Sequence, residues 1–125
     1  MFYYFIINPS SSSGKHKTLW REIKEQLEKE EINYKIAATK KTGDAKRLAR
    51  EASLQVSETN PCTIVAIGGD GTVNEVVNGL ILSPFLSFGY IPTGSGNDLA
   101  RGLGLSKEPL EALAFILHPK EKKAV

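Results

Sequence analysis

The sequence predicts a three-layer α/β/α fold built on a mainly parallel sheet. Short apolar runs alternate along the chain with longer segments whose apolar residues recur at helical spacing. The first run, 3–7, is continuously apolar, which is the pattern of a strand covered on both faces. The glycine-rich segments each follow such a run and precede a helical one. A β-α-β-α-β-α-β-α order of this kind implies parallel strands joined by right-handed crossovers.

The elements follow in order. Residues 3–7 form an apolar run ended by Asn8-Pro9, a buried first strand. Leu19, Trp20, Ile23 and Leu27 keep a helical period that extends to residues 30–32, with Thr18 as the N-cap. Residues 34–38 are a second short strand. Ala45, Leu48, Ala49, Ala52 and Val56 make one stripe of a helix over 44–56. Residues 63–67 are β-branched and closed by two glycines, the clearest buried strand. A helix over 72–82, a strand over 88–91, a loop over 92–97, a short helix near Asp98 and a last helix from Pro109 complete the chain. There is no internal repeat.

With 125 residues the chain suits one domain, and its 41% hydrophobic and 24% charged residues are those of an ordinary globular protein. The net charge of +2, with no recognition motif, gives no support to nucleic-acid binding. The single cysteine, Cys62, rules out an internal disulfide and fits a reducing, cytoplasmic compartment. Its place before an apolar run makes it a buried thiol rather than a nucleophile. The apolar start lacks a basic flank and is far too short to span a bilayer, which leaves only peripheral membrane contact. His118, at a helix end, suits the carbonyls there.

Parallel sheets bind ligands at the carboxyl ends of their strands, where helix N-termini present unpaired N–H groups. Three turns fall on that edge. The first, from Asn8 and Pro9 through Ser10, Ser11, Ser12 and Ser13 to Gly14 and Lys15, suits phosphate oxygens or is a solvated loop; its spacing is not that of a Walker phosphate loop. The second, Gly68-Gly69-Asp70-Gly71-Thr72, is the strongest signal. Three glycines in four positions allow positive φ and close backbone approach to a polyphosphate. Asp70 brings negative charge to an anion site, a conflict that Mg²⁺ on nucleotide phosphates resolves. Thr72 and Glu75 match a capping box, so Glu75 is either a cap or a ligand. Asn74 lies nearer the turn than Asn78 and is the better contact. The third turn, Pro92-Thr93-Gly94-Ser95-Gly96-Asn97-Asp98, sets a hydroxyl between two glycines. Asn97 or Asp98 can cap the short helix, and Asp98 and Arg101 suit a local ion pair. Lys15, His16, Lys17, Lys40, Lys41 and Lys46 follow the same edge and could steer ATP or meet anionic lipid.

These motifs, with Asn78-Gly79 and the continuation Leu99-Ala100-Arg101, resemble the diacylglycerol kinase catalytic domain. That family includes bacterial lipid kinases and is related to sphingosine and ceramide kinases. The resemblance covers nearly the whole chain. It implies an NAD-kinase-like N-terminal domain over 1–125 that uses ATP and Mg²⁺ to phosphorylate a lipid hydroxyl such as that of diacylglycerol. On the same basis the nucleotide contacts map to Asn8 through Gly14, Thr42, Gly68 to Asn74, and Ser95. Which serine of the first loop meets phosphate stays open. The family's second, β-rich domain, expected to carry the general base, is not in this chain, so the chain alone is expected to be inactive. An NAD kinase shares the Gly-Gly-Asp-Gly-Thr turn, but the downstream run favours the lipid kinase. A non-catalytic nucleotide-binding module is the alternative of another class. A dinucleotide-binding Rossmann domain fails because no G-x-G-x-x-G follows the first strand.

Overall fold

A computed structural model describes residues 1–9, 16–93 and 109–118. Within them the chain runs β1 (Phe2–Ile7), α1 (His16–Lys29), β2 (Tyr34–Ala38), α2 (Asp44–Ser53), β3 (Cys62–Gly68), α3 (Asp70–Gly79), β4 (Leu86–Pro92) and α4 (Pro109–Leu117). The short helix expected near Asp98 lies outside the described residues.

The four strands form one parallel sheet in the order β2-β1-β3-β4. Every residue of β3 is buried, as its unbroken apolar run requires in a strand covered on both faces. Alternate side chains feed two cores. Ile6, Ile64, Ala66 and Tyr90 meet Ala45, Ala49 and Ala52 of α2 and Val73 and Val76 of α3. Phe5, Val65, Ile67 and Ile91 meet Ile23 and Leu27 of α1 and Ala112 and Leu113 of α4. This is the three-layer α/β/α arrangement. The step from β1 to β2 uses one face and the steps toward β3 and β4 use the other, as a single crossover hand demands.

Several helix ends differ from the sequence pattern. Helix α1 is already formed at His16, so Thr18 is inside it and is not its cap. It stops at Lys29, because Glu31 turns to φ 55° and Ile32 bonds back to the Leu27 carbonyl at 3.0 Å. Helix α2 stops at Ser53, short of Val56. The buried Ser53 hydroxyl donates to the Ala49 carbonyl at 2.7 Å and accepts the Ile81 amide at 3.2 Å. That bond draws the chain after α3 away from its helix, which ends at Gly79 rather than Leu82. Helix α3 also approaches α2 closely. A Cβ on Gly79 would lie 2.2 Å from the Lys46 carbonyl oxygen, so only glycine fits without a shift.

His118 is a further correction. Its amide continues the helix to the Ala114 carbonyl at 2.8 Å, but its ring Nε2 meets Glu30 Oε1 at 2.5 Å and not the helix-end carbonyls. Glu30 is also bonded by the Gln26 side-chain amide, which with His118 holds its carboxyl below the usual range. Cys62 is buried, and burial pushes its thiol up, which leaves it inert.

Candidate functional site

All four strands point their carboxyl ends to one edge, and backbone bonds there tie each following turn to its neighbour. The Asn8 amide donates to Ile67 at 3.1 Å, Thr39 to Ile7 at 2.9 Å, and Thr93 to Gly68 at 3.1 Å. The chain leaves β1 toward β2 and leaves β3 toward β4, so the ends of β1 and β3 flank the point where the winding reverses. In open parallel sheets that is where ligands bind.

A cleft of about 530 Å³ opens at this position. One wall is Asn8 and Pro9 after β1, a second is the Thr39–Thr42 segment after β2, and the third is Gly71, Thr72 and Glu75 of α3. It therefore gathers six residues named from sequence: Asn8, Pro9, Thr42, Gly71, Thr72 and Glu75. Gly68 and Gly69 close β3 beside it. Asp70 is exposed at the first turn of α3, and Asn74 points to solvent outside the cleft lining. Ser13, Gly14, Gly94, Ser95, Gly96, Asn97 and Asp98, with Lys15 and Arg101, lie outside the described residues.

The peptide joining Gly68 to Gly69 is fixed in direction. Its carbonyl accepts both the Thr93 amide at 3.1 Å and the buried Tyr90 hydroxyl at 3.2 Å, on the β4 side. In a trans peptide the N–H points opposite to the C=O. The Gly69 N–H is thereby aimed toward the β1 side, at the crevice. Gly69 is the N-cap of α3 and has no side-chain cap, so the leading amides of the helix are left for an outside acceptor.

The glycines divide by cause. A Cβ on Gly68 would sit 2.7 Å from Thr72 Oγ1, so the chain itself needs glycine there. Among the described residues no atom lies within 4 Å of a Cβ added at Gly69 or Gly71, and neither has positive φ; Gly69 sits at φ −93°. The expectation of positive φ fails at both. Nothing described inside the protein requires glycine at either position.

The capping box also fails. Helix α3 starts at Asp70, with Val73 bonded to the Gly69 carbonyl at 3.2 Å, so Thr72 is one turn too late to cap. Thr72 is buried against Gly68, and no hydrogen bond engages its hydroxyl among the described residues. Glu75 reaches across to α2 instead, where its Oε1 accepts the Gly43 amide at 3.0 Å. That bond ties the turn carrying Thr42 to the helix that forms the opposite wall.

Asp44 is a residue that sequence reasoning passed over as the mere start of a helix. Its Oδ2 accepts the Lys40 amide at 2.8 Å and the Lys41 amide at 3.1 Å. These bonds, Lys40 first, hold its carboxyl below the usual aspartate range, helped by Arg47 at 3.7 Å. An aspartate beside Gly43, which takes φ 95°, at the head of a helix was the available signal. Lys40 and Lys41 line the cleft, as the basic edge anticipated; Lys46 does not.

The sequence model of the "Diacylglycerol kinase catalytic domain" family matches residues 3–125. A Bacillus subtilis protein named diacylglycerol kinase is 39% identical over 106 residues, covering 84% of this chain and 34% of its own length. Its namesake from Staphylococcus saprophyticus is 37% identical over 113 residues, covering 90% and 36%. The crystal structure of a diacylglycerol kinase from Bacillus anthracis superposes with a TM-score of 0.75 at 33% identity, covering 91% of this chain and 38% of that one. The chain spans about a third of the length of the curated relatives it matches.

Proposed function

The chain belongs to the diacylglycerol kinase catalytic domain family, and from that premise we propose that it is the ATP-binding part of a lipid kinase. The kinase passes the γ-phosphate of ATP to a lipid hydroxyl, with diacylglycerol as the substrate. One observation carries the nucleotide reading: Gly69 and Gly71 have no described internal cause, and they stand at an uncapped helix N-terminus beside the cleft. Backbone amides at such a terminus bind phosphate oxygens, and bare glycines let the phosphates reach them.

The donor chemistry fits Mg²⁺. Asp70 presents an exposed carboxylate that no hydrogen bond or ion pair engages among the described residues. It would hold the cation, which when bound offsets phosphate charge. Lys40 and Lys41 add positive charge from the facing wall, and Asn8 and Thr42 supply polar contacts. Ser13, Gly14 and the 94–98 turn are assigned to the same ligand on sequence grounds. Among the described residues no helix is long and apolar enough to cross a membrane, and we place the enzyme in the cytoplasm, meeting its lipid peripherally at the inner membrane face.

Transfer also needs a group to take the acceptor's proton and a site closed to water. Of the described carboxylates near the cleft, Asp44 and Glu75 accept backbone amides, and Asp70 is assigned to the cation. The 125-residue chain alone is therefore expected to bind ATP·Mg²⁺ and to leave lipid unphosphorylated. The test uses the purified chain with a fluorescent ATP analogue, then with labelled ATP and diacylglycerol micelles beside a full-length relative. Absence of nucleotide binding overturns the site. Robust product from the chain alone places the base within it.

A further inference from the structure

The Thr39–Thr42 wall of the cleft is loop, and the bonds that shape that loop are unusual. An aspartate that caps a helix accepts amides of its own helix, two or three residues onward. Asp44 does the reverse. Its single oxygen Oδ2 takes the amides of Lys40 and Lys41, which precede it, at 2.8 and 3.1 Å. Its own amide returns a bond to the Lys41 carbonyl at 3.2 Å, closing the turn on itself. The carboxylate is buried, only 7% exposed, although Lys40, Lys41 and Thr42 around it are exposed. Glu75 fixes the next residue, Gly43, from the opposite wall. Two carboxylates thus hold the 40–44 segment, in which Lys40, Lys41 and Thr42 line the cleft.

We propose that Asp44 is a positioning residue for the nucleotide: by binding the Lys40 and Lys41 amides it holds the 40–42 turn rigid, so that Lys40, Lys41 and Thr42 meet ATP already arranged. The proposal rests on the ATP reading of the cleft. Without the carboxylate the turn has four exposed, rotatable residues to order when ligand arrives, and that cost falls on affinity. Asp44 has no contact with the ligand in this scheme. Both amides go to one oxygen, so an asparagine, whose amide oxygen can take the place of Oδ2, preserves the turn. Alanine does not.

The experiment compares the unaltered chain with Asp44→Asn and Asp44→Ala, reading ATP·Mg²⁺ affinity by titration calorimetry and the exchange of the Lys40 and Lys41 amides by NMR. In the unaltered chain and in Asp44→Asn both amides are protected and affinity agrees within about twofold. In Asp44→Ala they exchange freely and affinity falls about fivefold or more, measured well below the melting temperature. Equal affinity in a folded Asp44→Ala overturns the proposal, as does an affinity loss in Asp44→Asn with both amides still protected. Should the alanine protein not fold, Asp44→Glu serves in its place, since the longer side chain displaces the acceptor while keeping its charge. An unaltered chain that does not bind ATP refutes the nucleotide reading, whatever the amides do, and the positioning role with it.

Discussion

Gly69 is the residue at which the nucleotide reading is most exposed to test. Its φ of −93° and ψ of −169° are open to any side chain, and an added Cβ meets no atom of the described residues within 4 Å. Gly69→Val should therefore fold as well as the parent while its methyls occupy the space beside the leading amides of α3. ATP affinity is expected to fall at least about tenfold, with an unchanged melting temperature; a folded variant with parental affinity removes the site. Asp70 separates two roles. Asp70→Asn retains size and much of the tendency to start a helix, but loses the charge proposed to hold Mg²⁺. In a full-length enzyme turnover should drop far more than thermal stability, and the opposite pattern would make Asp70 structural. At this scale the sequence told residue types well and directions poorly. Three glycines around an aspartate suggested a phosphate turn, yet nothing in the order of residues said that Gly68 packs on Thr72 while Gly69 and Gly71 meet no described atom. Glu75 stood three places after a threonine and so suggested a cap; its partner, Gly43, is distant in sequence and only packing brings it near. Asp44 could be seen at a helix head, but not the backward reach of its carboxylate.

Among the elements, α2 and α3 depend most on each other. Ala45, Ala49 and Ala52 keep the facing surface low, and Gly79 lets the Lys46 carbonyl come to van der Waals contact. Gly79→Ala would put a methyl carbon 2.2 Å from backbone oxygen, so one helix must move. The expected loss is about 2–3 kcal/mol, in the range of overpacked cores, read as a lower urea midpoint with unchanged slope. A smaller effect would show that α3 slides freely on α2. The same contact explains why helix ends were less legible than strands. The strands are marked by short, mostly apolar runs, and 34–38 appears with the same bounds as Tyr34–Ala38. Helix ends are settled by partners far along the chain, such as the Ser53 hydroxyl that takes the Ile81 amide.

For the whole molecule, acid is the revealing condition. Asp44 is held low chiefly by the Lys40 amide and Glu30 chiefly by the Gln26 side chain. Each folded carboxyl binds its proton less readily than the unfolded one, so the stability they contribute is fully present above the unfolded values of about 4. It is lost as pH falls below that, through the lower folded values. Melting temperature should accordingly hold between pH 7 and 5 and decline below about 4, and Asp44→Asn should flatten part of the decline; an unaltered acid slope would deny Asp44 its share. The layered architecture was readable from the alternation of runs, but the strand order was not, since an apolar run does not say which neighbour it will lie beside. That order has a consequence in time. Tyr3 pairs with Tyr34, Phe2 with Cys62 and Cys62 with Leu86, and all these ladders are parallel. No hairpin can start the sheet, so each pairing waits on a long loop to close, which slows folding. On a ribosome, which delivers the amino end first, β1 emerges as an apolar strand with its central partner still unmade. The switch-point crevice beside Asn8 does not exist until residue 68 has followed it out.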